Sequence, residues 1–159
     1  LIDQIIHLGI AKDLIVVIIS ALPISELRGA LPVAIDVFHF SWYHALPLAI
    51  LGNMLPVPII LLFLDAITKV LSKVGFIDRF LQWLFAHTRK RGGIVERYER
   101  IGLALFVAIP LPVTGAWTGS LLAVLLGLKF KHAILSIFIG VVIAGIIVTC
   151  VSLLIGLWL

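Results

Sequence analysis

Two apolar runs flank the stretch Pro23-Ile-Ser-Glu-Leu-Arg-Gly-Ala-Leu-Pro32, and neither is long enough to cross a bilayer. Residues 11–22 make about 18 Å of helix and residues 30–39 about 15 Å. A hydrocarbon core of roughly 30 Å needs about twenty residues. Each run reaches about halfway, which predicts a re-entrant hairpin: in from one side, a turn near the midplane, out on the same side. The alternative is a kinked ordinary helix over residues 10–37. Glu26 and Arg28 occupy the turn, and either one at a bilayer centre costs on the order of 3 kcal/mol unless it faces a partner or a cavity. On a regular helix, positions two apart point away from each other. A broken turn lets the two side chains meet, or share a ligand.

The membrane assignment follows from composition. Of the 159 residues, 62% are hydrophobic and 13% charged, about half the charged share of a soluble domain. Mean hydropathy is +1.25. The lone Cys150 excludes an intrachain disulfide. The chain opens on Leu1 rather than Met, so no targeting segment can be read from its start.

Residues 1–9 show an amphipathic pattern suited to the membrane interface. Phe40-Ser-Trp-Tyr-His44 collects aromatics as a membrane boundary does, and His39 and His44 are expected there as interfacial residues. Residues 43–64 form the first full crossing, punctuated by Pro47, Gly52, Asn53, Pro56 and Pro58. Residues 65–100 hold most of the charge around an amphipathic surface helix expected to end at Arg91-Gly92-Gly93. A short apolar run at 101–109 then breaks at Pro110-Leu-Pro-Val-Thr-Gly-Ala-Trp-Thr-Gly119, resumes over 120–128, and leads to a second crossing at 133–159. Gly140-Val-Val-Ile-Ala144 supplies a small-xxx-small face, which predicts a homodimer contact.

Hairpin plus crossing therefore occurs twice. Repeat 1 spans 10–64 with its turn at 23–32, and repeat 2 spans 101–159 with its turn at 110–119, joined by the cytoplasmic linker 65–100. One crossing between the hairpins sends them in from opposite faces. The expected fold is a single all-α integral membrane domain of two inverted repeats, with amphipathic interfacial helices. The linker with Lys129 and Lys131 carries 10 of the 12 Lys and Arg. By the positive-inside rule that face is cytoplasmic and both termini lie outside, in a bacterial or archaeal inner membrane.

The candidate substrate or ion site joins the two turns: Glu26, Arg28, Gly29 and Asn53 from the first half, Thr114, Gly115, Trp117 and Thr118 from the second. Arg28 offers a two-pronged fork to a carboxylate or phosphate, and helix N-termini expected near Ala30 and Ser120 favour an anion. Thr114, Thr118 and Ser120 offer hydroxyl donors, and Trp117 an apolar or cation-binding wall. Glu26 is the candidate proton carrier. Asn53 is a ligand or an interhelical contact. The five histidines are dispersed, so no metal site, cofactor or catalytic group is predicted. Expected partners are membrane lipid, protons and a small-molecule or lipid substrate, with an anionic one favoured. No stacking platform accompanies the basic cluster, so nucleic acid is not expected.

Three segments carry a resemblance: Pro23 to Pro32, Gly52-Asn-Met-Leu-Pro56, and Phe106-Val-Ala-Ile-Pro-Leu-Pro-Val-Thr-Gly-Ala-Trp-Thr-Gly119. Together they resemble the small multidrug export family, considered a remote relative of the DedA (VTT-domain) proteins. The resemblance implies transport and paired re-entrant hairpins. DedA proteins carry acids in the first half and arginines around the second turn, whereas here Glu26 and Arg28 share the first. The leading expectation is a proton-coupled secondary transporter. The alternatives are a DedA-like flippase or scramblase for an anionic lipid, and a non-transporting membrane assembly protein.

Overall fold

Pro23 ends the first helix because it has no N–H to offer the carbonyl of Ile19. In the computed structural model, which describes residues 9–71, 79, 92–110 and 114–158, that carbonyl is taken up by the Ser25 hydroxyl at 2.6 Å. Helix α1 (Gly9–Ala21) stops there and α2 (Glu26–Pro32) begins after a short turn. A single turn of π-helix, Val33–Val37, follows Pro32 and is closed by the Phe38 N–H on the Val33 carbonyl. A straight helix from residue 12 to residue 38 would separate its ends by about 39 Å. Instead the Lys12 ammonium lies 5.7 Å from the centre of the Phe38 ring, and His44 pairs with Asp13 at 3.0 Å. The segment folds back on itself as a helical hairpin, and a continuous kinked helix is excluded.

Helices α3 (Trp42–Met54) and α4 (Pro56–Leu71) follow almost in line. Leu55 still donates to the Leu51 carbonyl, so Pro56 interrupts one turn without turning the chain. Helix α5 (Gly92–Ala108) starts earlier than the sequence pattern suggests. Gly92 and Gly93, expected at the end of the surface helix, open this helix. Glycine is tolerated at a helix N-terminus, and the charged turn over 96–100 is helix-competent. Helix α6 (Ala116–Leu125) and the long α7 (Phe130–Trp158) complete the order. No strand occurs among the described residues. Residues 1–8 and, apart from Arg79, 72–91, where the amphipathic stretches are expected, lie outside the described residues.

Packing places small residues inside and large ones outside. Ala30, Ala34, Ala45, Ala49, Ala116 and Ala123 are completely buried, while Leu14, Ile18, Leu51, Phe63, Leu105 and Leu154 are each more than half exposed. Such an outer surface suits lipid and not water, and a small-residue interior lets helices approach closely where burial of bulky side chains gives no driving force. Two stretches, Trp42–Phe63 and Phe130–Gly156, are long and apolar enough to cross a membrane, with only 28% and 39% of their windows buried. Core helices of soluble proteins are mostly buried, so these belong to a bilayer.

The contacts between helices pair the two halves crosswise. Each hairpin's first arm packs on the crossing of its own half, α1 on α3 and α5 on α7. Its second arm packs on the crossing of the other half, α2 on α7 and α6 on α4. Gly52 allows the close approach of α1 and α3, since a Cβ there would sit 2.4 Å from the Val17 carbonyl oxygen. Ser20, fully buried, adds a hydrogen bond from its hydroxyl to the Ala49 carbonyl. Gly140 does the same for α5 and α7, facing the Ala104 carbonyl and Val107. The Gly140/Ala144 face is thus buried within the chain, with Ala144 4% exposed. Within the chain that face is taken up by α5.

Candidate site where the two turns meet

Glu26 opens α2 from a left-handed backbone conformation, φ 47°. This region is disfavoured for a side chain larger than glycine's and persists where its surroundings hold it. Its carboxylate is held by partners from both halves of the chain. Arg28 Nη2 lies 3.2 Å from Glu26 Oε2 and donates a second, shorter hydrogen bond of 2.8 Å to the Thr114 carbonyl. One guanidinium nitrogen therefore spans the two turns. The backbone N–H of Trp117, in the first turn of α6, faces Oε1 from 3.5 Å, longer than an ordinary hydrogen bond. A second link runs the other way, from Trp117 Nε1 to the Ala21 carbonyl at 3.1 Å.

Gly115 is the residue that makes this meeting possible. A Cβ at that position would fall 1.9 Å from Glu26 Oε2. The α6 N-terminus and the carboxylate can approach only because nothing projects there. The anion at the positive end of α6 is accordingly Glu26 itself.

Six of the eight expected site residues come together: Glu26, Arg28, Asn53, Thr114, Gly115 and Trp117. Of these, all but Trp117 line one internal cavity of about 10 Å³, at the lower edge of what holds a single water. Gly29 lies elsewhere, turned toward Ser25 and Ile19 between the arms of the first hairpin. Thr118 turns its hydroxyl onto the Gly115 carbonyl at 3.4 Å. The expected hydroxyl donors are in fact spent on the backbone of their own turn. Thr114 donates to the Ile109 carbonyl and Ser120 to that of Ala116. Thr114 contributes its carbonyl oxygen to Arg28 instead.

The helix starts also differ from expectation. They lie at Glu26 and Ala116 and not near Ala30 and Ser120, because the hydrogen bonds from Gly29 to Ser25 and from Gly119 to Gly115 resume the helix directly after each turn. Leu27, Val107, Pro110, Val141 and Ala144 complete the cavity wall. The small-residue spacing of Gly140 and Ala144 is the sequence signal that could have located that wall. The pairing of His44 with Asp13 had none, since the two lie 31 residues apart. Among the described residues no group of acidic, histidine or cysteine side chains could hold a metal ion.

No curated protein and no solved structure matches the chain. The profile of the family described as "Putative small multi-drug export protein" matches residues 26–147. That span runs from the carboxylate at the first turn, through the second turn, into α7. With the profile covering most of the 159 residues, the chain belongs to this family of membrane proteins named for export.

Proposed function

We propose that the protein is a small inner-membrane secondary transporter, coupled to protons, whose substrate and ion site lies between the two turns near the membrane midplane. The observation that carries this reading is the Glu26–Arg28 pair, with Glu26 buried and Arg28 largely covered, where turns from different halves of the chain meet. An acid and a base at membrane depth are costly and suit a transport pathway. The crosswise packing supports two inverted repeats, because each hairpin bridges both crossings in the same way. The hairpins are then re-entrant, and the basic linker faces the cytoplasm.

A cavity of about 10 Å³ admits no substrate, so this conformation corresponds to an occluded state. Opening separates the tips and breaks two links, Arg28 to the Thr114 carbonyl and Trp117 Nε1 to the Ala21 carbonyl. Arg28 is then released to an incoming anion, and Glu26 loses a counter-charge and takes up a proton.

The test is uptake into proteoliposomes under an imposed pH gradient, with binding measured separately. Glu26→Gln keeps the shape without titrating, so gradient-driven uptake is lost while binding survives. Arg28→Lys weakens an anionic substrate, because a point-charge ammonium cannot make the planar two-pronged contact. Full gradient-driven uptake in Glu26→Gln would refute the proton-carrier role. Movement of a labelled anionic lipid between leaflets, in place of solute uptake, would identify a flippase instead.

A further inference from the structure

Asn53 is 1% exposed, and its Oδ1 accepts no hydrogen bond from the protein. A buried amide oxygen left in this way bears its full desolvation penalty, which a hydrogen-bonding occupant removes. It lines the same cavity as the Glu26 carboxylate and the Arg28 guanidinium. Thr114 also lines it, with its hydroxyl donated to the Ile109 carbonyl and its own carbonyl accepting from Arg28, and the side chains of Leu27, Val107, Pro110, Val141 and Ala144 carry no hydrogen-bonding group. The volume, about 10 Å³, matches one water-sized occupant. We propose that this cavity holds a single water bonded between Asn53 Oδ1 and the Glu26 carboxylate, through which Glu26 exchanges its proton, so that the coupling ion is H⁺ and not Na⁺.

The donor and acceptor pattern fits water. Its two hydrogens satisfy the two acceptors, Asn53 Oδ1 and a Glu26 oxygen, and its own oxygen faces the guanidinium. A proton delivered to that oxygen passes to the carboxylate, leaving neutral water and a neutral carboxyl. A dehydrated sodium ion fits poorly, since it needs several oxygen ligands and would lie beside the Arg28 guanidinium, a like charge lining the same small cavity. Among the described residues lining the cavity, Arg28 is the one charged group beside Glu26. Asn53 is thus a positioning residue that holds the water in place. The functional part of this inference rests on the proton-carrier reading above, whereas the bound water does not.

The experiment is infrared difference spectroscopy on purified protein between acid and alkaline pH, in ordinary water and in H₂¹⁸O. The wild type is expected to show a water stretching band that shifts with ¹⁸O and changes together with a carboxyl band absent from Glu26→Gln. Asn53→Leu removes the acceptor and is expected to lose the water band. Ala144→Val fills the cavity with methyl groups, leaves Asn53 in place, and is expected to lose it too. No such band in the wild type, or its survival in either variant, overturns the proposal. Thermal stabilisation by sodium chloride over choline chloride in the wild type, lost in Asn53→Leu, overturns the choice of ion. A water band without pH-driven uptake would keep the water and refute only the transport reading.

Discussion

At the scale of single residues, the glycines separate the space the site needs from the space it does not. Gly115→Ala puts a methyl group 1.9 Å from the Glu26 carboxylate, so either the carboxylate or the start of α6 must move. A loss of about 1–3 kcal/mol in stability is expected, with loss of gradient-driven uptake. Gly102 is the matched control, since a Cβ there meets nothing within 4 Å. Gly102→Ala is expected to leave the protein as stable or more stable by up to about 1 kcal/mol, through helix preference alone. Thermal unfolding of both variants in the same detergent checks the pair. Equal losses at the two sites would show that the contact at Gly115 is not what matters. The sequence placed Gly115 in the candidate site but not against Glu26, because the carboxylate that crowds it lies 89 positions earlier.

Among the elements, the two turns solve one problem in the same way. A proline or a broken helix frees a carbonyl, and a nearby hydroxyl from the same turn takes it: Ser25 for Ile19, Thr114 for Ile109. In lipid there is no water to do this instead. Ser25→Ala leaves the Ile19 carbonyl only the longer bond from the Leu22 N–H at 3.3 Å, so it should cost about 1 kcal/mol and loosen the first hairpin, seen as faster amide exchange over α1. Ser25→Thr, which keeps the hydroxyl, should restore most of the loss. Unchanged exchange in the alanine variant would mean that the Leu22 N–H alone satisfies the Ile19 carbonyl. Alternating apolar runs and proline-led turns made both helix breaks legible in the sequence. The helix starts were not legible, since a turn can close within two or three residues or spread over ten with the same composition.

For the whole molecule, the small-residue face on α7 closes the fold internally. Gly140→Leu should wedge α5 from α7 and lower stability by about 1–3 kcal/mol without changing the detergent-solubilised mass. A drop in mass with stability intact would return that face to a contact between copies. Topology is tested by single cysteines in a background lacking Cys150. Labels at positions 10, 40 and 159 are expected from outside and a label at 90 from the cytoplasm, following the half-length runs and the basic linker. Positions 10 and 40 labelling from opposite sides would contradict a re-entrant first hairpin.

Membrane residence, helical class, two interrupted segments and two crossings were all determined by local sequence. Run length, proline placement and charge act over a few residues and can be read directly against a bilayer's thickness. The meeting of the turns was decided only in three dimensions. Glu26 and Arg28 come from one half of the chain, and the Thr114 carbonyl, Gly115 and the Trp117 N–H groups from the other. Sequence listed these residues as candidates but could not say that Thr114 gives its carbonyl and not its hydroxyl, or that Gly29 and Thr118 turn away. Those outcomes depend on how the second arm of each hairpin packs on the other half's crossing. The contact is set by side-chain shape at helix faces far apart in the chain, which no local pattern encodes.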